Sequence, residues 1–245
     1  MMRLDKFLCD CRAGTRSEVK KYIKQGVISV NGVIAKRPEV KIDEAKDQIT
    51  FHGNLLEYEK YSYYMLHKEA GYVTAVSDSR HKTVMEELPE NLRGVLTPVG
   101  RLDQDTEGLL LLTNDGAFTH HILSPTHHVE KTYEAKLDNP VPPTAVEDFS
   151  RGIDIGDEDL TLPAELVILP DVIFDDGTRE YGARLTISEG RYHQVKRMFS
   201  TVGCKVIGLK RLSIHTLTLE GLAPGEYRKL TPEEVQSLWG EANHM

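Results

Sequence analysis

The chain has 245 residues, 40% hydrophobic and 28% charged, with 30 Lys and Arg against 38 Asp and Glu and a formal net charge of −8. That composition fits one or two globular domains with room for a core and excludes a largely disordered chain. The longest aliphatic runs, Leu109 to Leu112 and Leu166 to Leu169, fall far short of the about 18 residues that span a bilayer, and three cysteines cannot build a disulfide framework. No apolar segment follows the opening Met-Met-Arg-Leu-Asp-Lys, so no secretory signal is read and a cytoplasmic protein is expected.

The charge is segregated. Residues 1–37 hold nine Lys and Arg against three Asp and Glu, residues 179–211 hold eight against two, and the remainder is acidic. Because salt screens charge over about 8 Å, two basic islands can hold a polyanion locally whatever the net charge; ordinary solvated faces would give the same counts.

From the N-terminus, Leu4, Phe7, Leu8 and Cys11 recur at helical spacing and predict a short helix. Thr15-Arg16-Ser17-Glu18 carries a capping-box pattern that opens a second helix, which Gly26 ends. Val19, Tyr22 and Ile23 would face inward, while Arg16, Lys20 and Lys24 stack at i, i+4 into a cationic ridge flanked by Lys21. Val27–Val30, Asn31-Gly32 and Val33-Ile34 then predict a hairpin with a type I′ turn. Residues 1–56 therefore form one small unit, and with Arg3-Leu4-Asp5-Lys6-Phe7-Leu8 and Val30-Asn31-Gly32 it resembles the S4 RNA-binding domain. The resemblance implies that Arg16, Lys20, Lys21 and Lys24 contact RNA phosphates, positioning RNA without reading bases. A small basic module docking on the rest of the chain is the other reading.

Hydrophobic periodicity lapses over 57–61, read as a short linker, before a second domain at 62–245. There Tyr63-Tyr64-Met65-Leu66 begins a strand. Further strands are expected at Tyr72–Val76, Leu109–Thr113, Lys131–Leu137, Glu165–Leu169, Ala183–Ser188 and Lys205–Leu209. Helices are expected at Thr83–Leu88, Ala117–Leu123, Thr144–Phe149, Tyr192–Val202 and Pro232–Trp239. Few strands are separated by the roughly 10–15-residue helices of parallel βαβ units, so an α+β fold with a mixed or antiparallel sheet follows.

The polar loop Gly100-Arg101-Leu102-Asp103-Gln104-Asp105-Thr106-Glu107-Gly108 precedes an apolar strand that reads as buried on both faces. A carboxylate at the mouth of such a strand suits a nucleophile, a base or a metal ligand. Asp103, Asp105 and Glu107 would share a face on extended backbone, leaving a divalent-cation site open, and turn or cap carboxylates would look the same. His120-His121, His127-His128, Cys9 and Cys11 lack metal-site spacing, and no metal is expected.

Gly100-Arg101-Leu102-Asp103, the Thr106 and Gly108 positions and the following strand resemble the signature of the pseudouridine synthases, in the branch with an N-terminal S4 domain. His67–Val73, Lys131-Thr132-Tyr133 and Glu189–Met198 match further family motifs, in order, across nearly the whole chain. The resemblance implies a catalytic domain with a central cleft and isomerisation of a uridine in ribosomal RNA. Small-subunit RNA is expected, at uridine 516 of the 16S molecule, with large-subunit 23S RNA the alternative target. An assembly intermediate would be a suitable substrate, and the enzyme is expected to act as a monomer without a membrane partner.

By the same resemblance, Asp103 is the nucleophile, Lys196 its cationic partner with Arg191 as second candidate, and Tyr133 packs on the uracil. Arg101 would hold the emptied stack or nearby phosphates. A helix from Tyr192 would bury Tyr192, Val195, Phe199 and Val202 and leave Lys196 one step off the core. No cofactor is implied, since an isomerisation needs neither redox change nor activated donor, and neither GxGxxG nor GxxxxGK[ST] occurs. The rival classes are a non-catalytic S4-type assembly factor and a metal-dependent phosphodiesterase built on Asp103, Asp105 and Glu107.

Overall fold

The computed structural model of the chain describes residues 1–11 and 13–240; residues 241–245, the end of the expected second domain, lie outside them. The chain divides into two units, Met1–Ser62 and Tyr63–Met245.

In the first unit the helix Leu4–Asp10 buries Leu4, Phe7 and Leu8, as its spacing requires. The helix Arg16–Gln25 opens on the Thr15/Glu18 capping box and stops at Gly26, whose φ of 75° is left-handed. Asn31 and Gly32 both have positive φ, so the strands Ile28–Val30 and Val33–Ile34 are joined by the two-residue turn that Asn-Gly favours. A four-stranded sheet, including Ile49–Phe51 and Asn54–Leu55, covers the core with these helices. Part of the stretch expected as a linker packs here: the Tyr58 ring stacks on Phe7 at 5.3 Å, and the Cys11 thiol donates to the Glu57 carbonyl at 3.5 Å.

In the second unit one ten-stranded sheet carries the fold. Its main path runs Glu165–Ile168, Arg179–Ile187, Lys131–Leu137, Val206–Ile214, Thr106–Thr113, Tyr63–Lys68 and Tyr227–Lys229. Every neighbouring pair along that path is antiparallel except Thr106–Thr113 with Val206–Ile214, which runs parallel. The fold is α+β, with a mixed, mainly antiparallel sheet. Leu109 and Leu111 pack into one apolar cluster and Leu110 and Leu112 into another, so the apolar strand is buried on both faces. Helices Thr144–Arg151 and Gln194–Thr201 cover one face, with Phe149 and Phe199 in edge contact. Helices Gly116–Leu123 and Pro232–Trp239 cover the other, where Phe118 meets Trp239 edge-on. No helix among the described residues is long and apolar enough to cross a membrane.

Tyr72–Val76, expected as a strand, is a loop making only the isolated bridge Val73 to Thr83, and Thr83–Leu88 yields a short 3-10 helix, Val84–Glu87. Of the apolar residues of the first segment, Tyr72 packs against the core cluster and Val76 is exposed. Gly108 explains how the parallel pair approaches so closely: at φ +110° it has no side chain, and a Cβ there would lie 2.2 Å from the Arg211 carbonyl oxygen.

Candidate active site

The loop before the Thr106–Thr113 strand is fixed from below. Thr74 donates its hydroxyl to the Leu102 carbonyl at 2.7 Å and accepts from the Leu102 amide at 3.1 Å. The Gly71 amide donates to the Gln104 carbonyl at 2.7 Å, and the Gln104 side-chain amide returns a bond to the Gly71 carbonyl at 3.1 Å. Lys68, fully buried at the end of its strand, donates to the carbonyls of Glu69, Gln104 and Thr106 at 3.0, 3.3 and 2.7 Å. Burial pulls its ammonium down to about 8, against the opposing pull of Glu87, Asp105 and Asp103. Burial pushes the neighbouring Glu87 carboxyl up to about 7, partly countered by the Glu69 amide that it accepts at 3.2 Å.

This loop forms one wall of a cleft of about 640 Å³. Across it stands the helix Gln194–Thr201. Lys196 Nζ lies 2.9 Å from Asp103 Oδ2 and 2.6 Å from Asp105 Oδ1, and His193 Nε2 lies 3.3 Å from Asp103 Oδ1. Burial lowers the Lys196 ammonium, but the hydrogen bonds it donates to Asp103 and Asp105 outweigh it and leave the group above its ordinary value. The hydrogen bond from Lys196 also holds Asp105 below the usual carboxylate range, against a smaller opposing effect of burial. A cation thus sits between two carboxylates at the cleft wall. Tyr133, 8% exposed, contributes its ring from the strand Lys131–Leu137, and Arg101 is an exposed residue of the lining.

The structure therefore brings Asp103, Lys196, Tyr133, Arg101 and Arg191 to one cleft. Of the two candidate cations, Lys196 reaches Asp103. Arg191 instead binds Glu189 at 2.9 Å and the carbonyls of Asp159 and Leu160 at 2.7 Å each, clamping the loop beside it. Arg16, Lys20, Lys21 and Lys24 belong to the first unit, where all four are exposed and form no ion pair among the described residues.

Two local expectations change. Asp103 and Asp105 do not sit on extended backbone with Glu107. The Thr106 amide bonds to the Asp103 carbonyl at 3.1 Å and closes a turn, so Lys196, rather than a shared strand face, gathers the two aspartates. Tyr192 is 76% exposed and stacks on His193. The helix begins two residues later because His193, at φ 48°, ends the preceding turn, and Gln194 takes the buried place, donating to Glu189 at 2.9 Å. Sequence reasoning assigned no role to Lys68, Thr74, His193 or Arg211. The only signals were the motifs containing Lys68 and His193 and a basic stretch containing the last two.

A buried apolar strand, an aspartate at its mouth and a facing lysine and tyrosine define an enzyme-type cleft in the second unit, with a small basic module before it. Residues 62–201 match the RNA pseudouridylate synthase family and residues 2–49 match the S4 domain. The chain belongs to the RNA pseudouridylate synthases. It is 44% identical to the ribosomal small subunit pseudouridine synthase A of Vibrio cholerae, covering 97% of this chain and all of that one. It is 43% identical to the protein of the same name from Escherichia coli K12, at 97% and 100% coverage. An uncharacterised RNA pseudouridine synthase of Bacillus subtilis, YtzG, is also 43% identical, at 97% and 98% coverage. A solved crystal structure of a pseudouridylate synthase superposes with a TM-score of 0.65 at 41% identity, covering 97% of this chain and 100% of that chain.

Proposed function

We propose that this protein converts one uridine of small-subunit ribosomal RNA, position 516 of the 16S molecule, to pseudouridine. The observation that carries the reading is the ion pair of Asp103 with Lys196 at 2.9 Å in a cleft that also holds Tyr133. The full-length likeness to small-subunit synthases of two organisms supports the choice of RNA.

The target base must leave the stack to enter the cleft, at a cost of a few kcal/mol that cationic and aromatic contacts offset. Arg101 holds the gap or the adjoining phosphates, and Tyr133 lays its ring against the uracil. Asp103, paired with Lys196, attacks the ribose C1′ or the uracil ring and forms a covalent bond through its carboxyl oxygen. The N1–C1′ bond breaks, the base turns, a C5–C1′ bond forms, the bond to Asp103 breaks and returns its electron pair to the carboxylate, the C5 proton departs and N1 gains one. Composition and oxidation state are unchanged, so the chain's own residues suffice without a cofactor. The first unit holds RNA through Arg16, Lys20, Lys21 and Lys24, and the enzyme works as a cytoplasmic monomer.

The test is incubation in excess EDTA with protein-free small-subunit RNA, large-subunit RNA and partly assembled small subunits, followed by nucleotide-resolution mapping of pseudouridine. One new pseudouridine at position 516 of small-subunit RNA is expected. Modification confined to large-subunit RNA would overturn the target, and tight binding without modification of any RNA would leave an assembly factor. Loss of activity to EDTA would favour the metal-dependent class.

A further inference from the structure

Two cations lie buried in the floor of the cleft, and the reaction as described uses neither. Arg211 is 4% exposed and Lys131 7%, and both line the cleft beside Tyr133. Lys131 shares a strand face with Tyr133, two residues along, and Arg211 stands directly opposite Tyr133 in the antiparallel register. Neither forms an ion pair with a carboxylate among the described residues. Lys131 donates to the Val129 carbonyl at 2.6 Å, and burial together with the Arg211 charge pulls its ammonium down to about 8.

Arg211 is held as a bracket. Its Nε donates to the Leu109 carbonyl at 2.7 Å and its Nη1 to the Tyr133 hydroxyl at 3.3 Å. Its guanidinium carbon is 5.9 Å from the centre of the Tyr133 ring, and Nη2 is buried without a hydrogen-bond partner among the described residues. A guanidinium stays charged and only donates. Burying one beside a second cation, with one nitrogen unsatisfied, is unfavourable for the fold by itself. Among the described residues the one side-chain group it bonds is the Tyr133 hydroxyl, and the backbone it bonds belongs to the strand that follows Asp103. Since Arg211 has no acceptor, the phenol oxygen accepts, and the phenol proton is left for another partner.

We propose that Arg211 is a positioning residue that fixes the Tyr133 phenol against the flipped uridine and ties it to the strand leading from Asp103. The inference rests on the proposed reaction, in which Tyr133 packs on the target uracil. Arg211 sets both the height of the ring, through the Leu109 carbonyl, and the direction in which its hydroxyl proton points.

A double-mutant cycle over Arg211→Gln and Tyr133→Phe tests this. It uses single-turnover pseudouridine formation on the RNA that the wild-type protein modifies, with RNA affinity and thermal unfolding measured for each variant. Each single variant should be roughly 10²-fold slower, a loss of the size seen when one preorganised hydrogen bond is removed from an active site. RNA affinity should stay within about threefold, and the double variant should be no slower than Tyr133→Phe. Arg211→Lys should recover only part of the rate, because an ammonium cannot reproduce the guanidinium fork. Losses that multiply, a wild-type rate in Arg211→Gln, or a slow Arg211→Gln beside a fast Tyr133→Phe would each overturn the inference. Should Arg211→Gln fail to fold, Arg211→Lys takes its place in the cycle, with the same results supporting or overturning it. A wild-type protein that forms no pseudouridine would overturn the proposed function and this inference together, whereas multiplying losses in an active enzyme would overturn the inference alone.

Discussion

Lys196 is the residue on which the electrostatics of the cleft turn, because it lies within ion-pair distance of both Asp103 and Asp105. Lys196→Met should leave those two carboxylates without their cation, lowering single-turnover rate by roughly 10²-fold or more with RNA affinity little changed. Single-turnover kinetics beside a binding isotherm check this, and a wild-type rate would contradict it. Glu87 offers a test by pH. Its folded value of about 7 stands above the ordinary 4.5, so the folded protein keeps a proton that the unfolded chain releases. The stability this contributes is complete below about pH 4.5 and is lost as pH rises through about 7. Thermal unfolding between those limits should therefore show a decline in the wild type that Glu87→Gln flattens; parallel curves would contradict the assignment. At this scale the sequence motifs pointed to Asp103 and Lys196, two side chains that the fold brings together in one cleft. It could not disclose Lys68 or Arg211, because a single chain does not distinguish a lysine or arginine that gathers buried carbonyls from one that lies on the surface.

The elements with the clearest periodicity were the most legible. Lys131–Leu137 alternates buried and open positions over its whole length, and Leu109–Leu112 is buried on both faces. What escaped was decided by tertiary partners. Residues 72–76 have the composition of a strand, yet the Thr74 hydroxyl is committed to Leu102 in both directions, which anchors the Asp103 loop in place of a ladder. Likewise the helix that carries Lys196 starts late because Gln194, not Tyr192, fills the core position. The parallel pairing of Thr106–Thr113 with Val206–Ile214 could not be read from local pattern, since it depends on the absent side chain at Gly108. Gly108→Ala should cost roughly 1–3 kcal/mol from overpacking, with further strain from its positive φ, and should displace Arg211. Denaturant unfolding checks this; a loss below about 0.5 kcal/mol would contradict the close approach.

For the molecule as a whole, the two basic islands seen in the sequence turn out to differ in kind. In residues 179–211 most cations are spent internally: Arg179 on Asp171, Arg184 on Glu134, Arg191 on Glu189, Lys196 on Asp103 and Arg197 on Asp157. The first unit instead presents Arg16, Lys20, Lys21 and Lys24 to solvent. Replacing Arg16, Lys20 and Lys24 together by Gln should leave thermal unfolding nearly unchanged and weaken RNA binding. The salt dependence of log Kd should become shallower by about 0.7–0.9 for each phosphate no longer neutralised, while the rate at saturating RNA is retained. An unchanged salt slope would mean that RNA is held elsewhere on the protein.

In the proposed reaction Asp103, paired with Lys196 across the cleft, is the group that attacks the uridine, and everything else in the cleft serves that step. Its most direct test is single-turnover pseudouridine formation by Asp103→Asn, measured beside RNA affinity under the same conditions. No detectable product is expected, with affinity close to that of the wild type. Substantial residual isomerisation by the folded variant would contradict the role of Asp103.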